Sequence, residues 1–219
     1  MQLATKLIIW GCGGQARELI LLCEQIGLEV IGFLDERPDM KGKVIDDVPV
    51  LGDIEDIGEM RGMVKIVCAG VGDPELKKRF SMKTIRAGFD LAEPLVHPSV
   101  YISKRNSIGM GSVICDGTTL TINVRIGSHV IINRGCNIGH DTTIGDFTTI
   151  SPGVNISGNV TIEEGVFFGT GASASEKLHI GAWSIIGGGA FVNNDVKAEA
   201  LFAGVPAVFK KRVRSQASH

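Results

Sequence analysis

The chain has 219 residues and a formal net charge of -2, which allows a sizeable core and does not suggest a nucleic-acid-binding surface. Hydrophobic residues make up 44% of it but aromatic residues only 5%, so the apolar content is mostly aliphatic and favours strands. The five cysteines show no paired spacing, and neither a signal peptide nor an apolar run of roughly 20 residues is recognisable. These features predict a cytoplasmic protein with no membrane partner.

The first 95 residues predict a small Rossmann-like α/β domain. The run "KLIIW" indicates a buried strand, "QARELILLCEQIG" has helical spacing, and "EVIGFLDE" indicates a second strand. The stretch "VKIVCAGVGDPELKKRFSMKTIRAGF" predicts a further strand, a glycine turn and a helix that ends at Gly88. Strands that alternate with helices are typical of a parallel sheet.

A glycine-rich loop follows the first strand. Residues 11–16, "GCGGQA", match the pattern G-x-G-x-x-A, and Asp35 follows the next strand. Such a loop lets the backbone approach a phosphate at a helix N-terminus, and the acid can hold a ribose hydroxyl. The loop indicates either a nucleotide site or a purely structural tight turn. A full dinucleotide fold needs two such halves, whereas the α/β pattern ends near Pro94, so a single nucleotide is favoured over NAD.

A six-residue repeat occupies the rest of the chain. Fifteen of 17 positions spaced by six are Ile, Leu or Val, with no insertion or deletion. The positions are Val96, Ile102, Ile108, Ile114, Leu120, Ile126, Ile132, Ile138, Ile144, Ile150, Ile156, Ile162, Phe168, Ala174, Ile180, Ile186 and Val192. Neither a single strand nor a helix keeps this period. A β-sandwich would show irregular turn signals, so the repeat predicts a parallel β-helix with three hexapeptides per coil.

Several motifs carry a resemblance to a known family. They are "VHPSV" at the junction, "IGHDTTIGDFTTISPGVNISGNVTI" within the repeat, and "IGGGAFV" and "FAGVPA" near the end. Together with the two-part organisation they resemble the bacterial sugar N- and O-acetyltransferases of the hexapeptide-repeat class. That family includes enzymes that acetylate UDP-, dTDP- or GDP-linked 4-amino-4,6-dideoxysugars, perosamine among them, and a branch that O-acetylates sialic acid.

The resemblance implies an overall organisation. Residues 1–95 are expected to bind a nucleotide-sugar, residues 96–200 to form a left-handed β-helix acyltransferase domain, and residues 201–219 to form a C-terminal tail. It further implies a homotrimer in which acetyl-CoA lies in the groove between adjacent prisms. The basic residues Lys210, Lys211, Arg212 and Arg214 either approach the 3′-phosphate of the coenzyme or belong to a frayed, solvated tail.

The family also implies a catalytic base. The matching residue is His140, with Asp141 beside it, and the family's histidine assists direct attack of the sugar amine on the thioester without a covalent intermediate. A histidine can take up a proton at neutral pH, and a carboxylate can fix its tautomer. The alternative is an exposed histidine in a turn. Whether Asp141 points at His140 depends on the turn, since neighbouring residues of a strand point to opposite sides.

Further site residues follow from the resemblance alone. The implied contacts to the nucleotide-sugar are Gly13, Gly14, Gln15, Asp35, Glu36, Gly72 and Asn133. The implied contacts to the coenzyme are Thr149, Gly158, Thr170 and Gly188. Thr149 departs from the family, which often has a second histidine there. Alternatives are a solvated turn for Glu36 and a left-handed turn residue for Asn133.

Three functions remain open at this point. The first is an acetyl-CoA-dependent N-acetyltransferase that acts on a nucleotide-linked amino sugar for surface polysaccharide or glycoprotein glycans. The second is O-acetylation of sialic acid or a related sugar, and the third is a non-catalytic trimeric scaffold that binds nucleotide. No metal is expected, because the zinc enzymes of this fold need two close histidines and position 145 is glycine.

Overall fold

The structure is a computed structural model that describes residues 6–213. Its first part is a six-stranded sheet in the order β3-β4-β2-β1-β5-β6, in which only β3 and β4 pair antiparallel. The strands are β1 (Lys6–Trp10), β2 (Glu29–Leu34), β3 (Val44–Ile45), β4 (Val48–Gly52), β5 (Val64–Val67) and β6 (Asp90–Leu91). The helices are α1 (Gly14–Gln25) and α2 (Pro74–Arg86), with short 3-10 helices at Pro38–Met40 and Ile54–Met60.

The central strand β1 supplies both sides of this domain. Its last four residues are buried and alternate between the two faces of the sheet: Leu7 and Ile9 join the core that contains α1, and Ile8 and Trp10 join the core that contains Phe80 of α2. The Trp10 ring stacks on Phe80 with their centroids 4.4 Å apart. The predicted strands and helices are present, whereas the two-residue edge strands β3 and β6 and the inner strand β4 leave no clear periodicity in the sequence.

The predicted β-helix is confirmed. Sixteen of its strands are two residues long, and each has a hexapeptide-repeat position as its second residue. They are β7 (Leu95–Val96), β8 (Ser107–Ile108), β9 (Val113–Ile114), β10 (Thr119–Leu120), β11 (Arg125–Ile126), β12 (Ile131–Ile132), β13 (Asn137–Ile138), β14 (Thr143–Ile144), β15 (Thr149–Ile150), β16 (Asn155–Ile156), β17 (Thr161–Ile162), β18 (Phe167–Phe168), β19 (Ser173–Ala174), β20 (His179–Ile180), β21 (Ile185–Ile186) and β22 (Phe191–Val192).

These strands form the three faces of a left-handed prism. The first face, here called the docking face because the α/β domain packs on it, contains β7, β9, β12, β15, β18 and β21. The second face contains β8, β11, β14, β17 and β20. The third face contains β10, β13, β16, β19 and β22. Paired residues are 18 apart, as in Ile132 with Ile150 and Ile150 with Phe168. Each coil therefore places one aliphatic side chain from each face in a common core.

Two more strands end the docking face. Strand β23 (Ala200–Ala203) runs parallel to β21, and β24 (Val208–Arg212) runs antiparallel to β23. The segment expected as a C-terminal tail therefore contains strand structure up to Arg212. Lys210, Lys211 and Arg212 lie exposed on β24, and Arg214 lies outside the described residues.

The α/β domain packs on the docking face. Val113, Cys115 and Ile131 point outward from the prism and share a buried cluster with Leu19 and Leu22 of α1. Helix α2 adds polar contacts to the edge between the second and docking faces. There the Ser81 hydroxyl lies 2.9 Å from Nε2 of His129, whose ring stacks on Phe147.

His129 is buried at this junction, and its Nδ1 has no hydrogen-bond partner among the described residues. Burial, with a smaller effect of the nearby Lys77 ammonium, lowers the pKa of His129 to about 4 from its ordinary 6.5. The unfolded chain therefore binds a proton between these pH values that the folded chain excludes. The stability that His129 contributes is present above pH 6.5 and is lost as the pH falls towards 4.

We expect His129→Asn to weaken this acid sensitivity, because asparagine does not titrate and tolerates the left-handed backbone at this turn. Between pH 7 and pH 4.5 the unfolding free energy of the wild type should fall by about 2 kcal/mol more than that of the variant. Urea unfolding at several pH values measures the difference. Equal slopes for the two proteins would show that His129 is not the titrating group.

Candidate active site

His140 and Asp141 lie in the turn between β13 and β14, at the edge between the third and second faces. Asp141 occupies the left-handed position of this turn, with φ of 57°. The turn therefore places two adjacent side chains on the same side, which a straight strand would not do. Nδ1 of His140 lies 2.8 Å from Oδ2 of Asp141.

The environment of Asp141 keeps it ionised. The side-chain amide of Asn123 donates to its Oδ1 at 2.8 Å, and His140 binds the other oxygen. The hydrogen bond from Asn123, followed by that from His140, lowers the pKa of Asp141. An ionised carboxylate can only accept a hydrogen bond, so Nδ1 of neutral His140 carries the hydrogen and the lone pair lies on Nε2. This arrangement is suited to a general base.

Gly158 lies directly against the imidazole ring. It stands 18 residues after His140, so it occupies the same turn position one coil further on. A Cβ atom at residue 158 would lie 2.5 Å from Nε2 of His140, closer than carbon and nitrogen can approach. The glycine therefore makes room for the histidine ring, and its backbone φ is not in the left-handed region.

A polar cleft of about 290 Å³ adjoins the carboxylate on the N-terminal side of His140. It is lined by Arg105, Asn123, Arg125, Asp141 and Thr143. Asn123 is not among the site residues predicted from the sequence. The signal was available, because Asn123 precedes Asp141 by 18 residues and the repeat stacks such positions.

The glycine loop opens towards solvent at the N-terminus of α1. Gly13 caps the helix without a side-chain hydrogen bond, and the first turn has no acidic residue. A Cβ atom at Gly13 or Gly14 would meet no atom within 4 Å, and Gln15 is half-buried. Only Gly11 is required by the fold itself, since its φ is 92° and a Cβ would lie 2.8 Å from Val71. The N-terminus of α1 is thus accessible to an anion.

Asp35 and Glu36 both have protein partners. The Arg37 guanidinium binds both carboxylate oxygens of Asp35 at 2.8 Å, and the Cys12 thiol donates to Oδ2 at 2.9 Å. These contacts, with that of Arg37 the largest, lower the pKa of Asp35 to about 2. Glu36 forms ion pairs with Arg79 and Lys83 of α2. It is therefore not simply a solvated turn residue.

Gly72 and Thr149 meet at the junction between the domains. The Thr149 hydroxyl donates to the Gly72 carbonyl at 2.7 Å and accepts from Nζ of Lys77, also at 2.7 Å. Its single hydrogen is therefore engaged within the chain. Lys77 is not among the site residues predicted from the sequence, because a lysine on a helix is ordinarily exposed.

The remaining site residues lie on a different edge from His140. Asn133, Thr170 and Gly188 are in turns between the docking and third faces, whereas His140 and Gly158 are between the third and second faces. Asn133 is buried, and its amide donates to the Ile150 carbonyl at 3.3 Å. A single chain therefore does not bring all the predicted coenzyme contacts to one surface.

A second cleft, of about 380 Å³, lies at the C-terminal end of the docking face. Its lining residues are both apolar and basic: Lys197, Ala198, Ala200, Phe202, Phe209 and Arg212. Among residues 6–213 no three His, Cys, Asp or Glu side chains are grouped so that they could hold a metal ion. In the same range, no helix is both long and apolar enough to span a bilayer.

We expect Gly158→Ala to displace the His140 ring, because the added methyl group would overlap Nε2. Gly188→Ala is the matched control, since its Cβ would lie 3.3 Å from the nearest atom, the Thr170 carbonyl oxygen. The ¹⁵N and ¹H chemical shifts of the His140 ring should change in the first variant and stay unchanged in the second. Unchanged shifts in Gly158→Ala would contradict the observed packing.

Known proteins resemble this chain at two levels: a family description matches its N-terminal part, and solved structures match almost all of it. The family description of the PglD N-terminal domain matches residues 6–84. No curated protein sequence matches the chain significantly. Several solved structures superimpose on it closely.

Three of these structures show the range of relatives. A mutant of perosamine N-acetyltransferase from Caulobacter crescentus, in complex with CoA and GDP-perosamine, is 29% identical with a TM-score of 0.88. PerB from the same organism, with the same two ligands, is 30% identical with a TM-score of 0.87. Each match covers 94% of this chain and 97% of the other.

The third structure is the acetyltransferase domain of PglB from Neisseria gonorrhoeae in complex with acetyl coenzyme A. It is 28% identical, with a TM-score of 0.85 over 94% of this chain and 100% of that chain. Identity at this level over nearly the full length extends the likeness beyond the fold. The chain belongs to the hexapeptide-repeat sugar acetyltransferases and is an acyltransferase.

Proposed function

We propose that the protein transfers the acetyl group of acetyl-CoA to the amino group of a nucleotide-linked 4-amino-4,6-dideoxysugar. The contact between Nδ1 of His140 and Asp141 carries this proposal, because it leaves the Nε2 lone pair on an exposed edge of the prism. The ligands of the related structures, CoA with GDP-perosamine and acetyl coenzyme A, support the two substrates.

His140 acts as the general base in this reaction. The sugar amine attacks the thioester carbon, the N–C bond forms, and Nε2 of His140 takes the proton that the nitrogen loses. The C–S bond then breaks, and the proton passes from the His140 imidazolium to the departing CoA thiolate, which restores neutral His140. Asp141 stabilises the imidazolium that forms, and Asn123 holds Asp141 in place. Without this base, the nitrogen would keep the proton and its positive charge; with it, the product is a neutral amide.

The acceptor binds through its nucleotide at the α/β domain. The open N-terminus of α1 at Gly13, Gly14 and Gln15 offers backbone N–H groups and the positive helix end to the diphosphate. Asp35 holds the ribose only after Arg37 has moved away from it, because Arg37 occupies both carboxylate oxygens. Glu36 and Gly72 lie on the same side, at the carboxyl ends of β2 and β5.

The coenzyme lies between two copies of the chain. His140 and Gly158 of one copy face Asn133, Thr170 and Gly188 of the next, because these two groups occupy different edges of one prism. Repetition of this contact around a threefold axis closes a homotrimer with three equivalent sites. The expected cytoplasmic location remains a prediction.

Loss of His140 tests the reaction directly. CoA release should be followed with a thiol reagent against UDP-, dTDP- and GDP-linked 4-amino-4,6-dideoxysugars and free sialic acid. We expect turnover on one nucleotide-linked amino sugar, reduced about 10²- to 10⁴-fold in His140→Ala because the general base is lost. Turnover on sialic acid alone would show that the enzyme acetylates a hydroxyl group and not an amine. Nucleotide binding without any turnover would indicate a scaffold.

Mixed trimers test the shared site. His140→Ala removes the base from one edge, and Gly188→Phe blocks the coenzyme path on the other edge. Each variant alone should be inactive, whereas co-expressed trimers should regain roughly a quarter of the wild-type activity, because one interface in four combines two intact edges. A mixture as inactive as the parents would place both residues in the site of one chain.

A further inference from the structure

Lys77 is the buried charged residue at the contact between α2 and the prism. Its side chain has no exposed surface, although it lies on a helix whose neighbouring lysines, Lys78 and Lys83, are partly exposed. Desolvation holds the pKa of Lys77 well below its ordinary value. Burying an amino group is unfavourable unless its hydrogen bonds are made, so Lys77 requires hydrogen-bond partners at this contact.

Both partners lie at the start of one strand of the prism, where Thr148 directly precedes β15 and Thr149 is its first residue. Nζ of Lys77 donates to the Thr148 carbonyl at 2.9 Å and to the Thr149 hydroxyl at 2.7 Å. The Thr149 hydroxyl in turn donates to the Gly72 carbonyl at 2.7 Å. The three groups form a continuous chain from α2 through β15 to the loop that precedes α2.

This loop and α2 are themselves joined. Asp73 caps the helix, with its carboxylate accepting from the backbone N–H of Leu76 at 3.0 Å. Gly72 is the residue before this cap. Lys77 and Gly72 therefore lie at the two ends of one short segment. The Thr149 hydroxyl binds both residues and so holds the segment against the prism.

The strand that receives these contacts belongs to the coil that contains His140. The turn with His140 follows β13, and β14 and β15 complete the same coil. Thr149 is nine residues after His140, at the start of β15. The Gly72 loop is thus tied to the coil of the prism that carries the proposed base.

We propose that Lys77 is a positioning residue for the acceptor: through Thr149 it holds the Gly72 loop at a fixed place on this coil. The inference rests on the proposed function, in which Gly72 contacts the nucleotide-sugar. A lysine suits this role because one terminal amino group reaches both a backbone carbonyl and a hydroxyl. With an apolar side chain at residue 77, the Thr149 hydroxyl would still bind Gly72 but would not be held in place by α2.

The chain offers a matched control on the same helix. Lys78 also reaches the prism, pairing with Glu164 at 2.7 Å and lying over the rings of Phe147 and Trp183. It does not contact Thr149 or Gly72. Lys78→Met therefore removes a lysine from the interface and leaves the Gly72 loop in place.

The experiment compares Lys77→Met, Thr149→Val and Lys78→Met by kinetics. In the first two we expect the KM for the nucleotide-sugar to rise about tenfold, in line with the loss of one or two hydrogen bonds that hold the Gly72 loop. The KM for acetyl-CoA should stay within twofold of its wild-type value. Thr149→Ser keeps the hydroxyl and should return the acceptor KM towards that of the wild type. Lys78→Met should leave both values unchanged.

Amide hydrogen exchange gives a readout that does not depend on activity. Residues 72–80 should exchange faster in Lys77→Met and Thr149→Val than in Lys78→Met, with the exchange of the other prism coils unchanged. If a single variant fails to fold, the double variant Lys77→Met/Thr149→Val removes both polar groups together and takes its place.

The outcomes separate this inference from the proposed function. Faster exchange with an unchanged acceptor KM would overturn the positioning role, as would a rise in the KM for acetyl-CoA alone, which would make Thr149 a coenzyme contact. Unchanged exchange would overturn the tether itself. If the wild type acetylates none of the nucleotide-sugars, the proposed function fails, and hydrogen exchange still decides whether Lys77 holds the loop.

Discussion

The stacking of residues 18 positions apart is the constraint on which the rest of the molecule depends. Each coil places three inward apolar side chains beneath those of the coil above, and a one-residue insertion within a strand would move its inward side chain out of the core. The same register acts on the turns, which also repeat every 18 residues. A turn residue is therefore positioned by the coils before and after it as much as by its own sequence.

The active-site edge shows this effect. Asn123 reaches Asp141 from the preceding coil, and Gly158 makes room for His140 in the following coil. His140 thus has a fixed ring orientation although its side chain is 53% exposed. Two-residue strands provide a rigid support for these turn residues, which a flexible loop of similar length would not do.

The α/β domain adds a second constraint, of a different kind. Its contact with the prism combines an apolar patch beneath α1 with buried polar groups beneath α2. Apolar contacts tolerate small shifts, whereas hydrogen bonds of Lys77 and Ser81 require one alignment of helix and prism. The polar contacts therefore fix how the α/β domain is placed relative to the coil of His140. This placement matters for the proposed function, in which the acceptor extends from one domain to the other.

The sequence by itself determined the fold class and the elements that face the core. The hexapeptide repeat specified the β-helix because an inward position every six residues fits no other regular structure, and "KLIIW" and "GCGGQA" specified the start of the α/β domain. His140, Asp141 and Gly158 were found by resemblance, yet the sequence did not show that Asp141 turns towards His140 or that Gly158 lies against its ring.

Only the tertiary structure decided those points, together with the partners of Asp35, Glu36 and Thr149. Their contacts join residues 2 to 77 positions apart, and they depend on the left-handed turn at Asp141, the ends of parallel strands, and the docking of α2. Lys77 is the clearest case. Its residue type predicts exposure, and its burial arises because another part of the chain supplies a carbonyl and a hydroxyl where the helix packs.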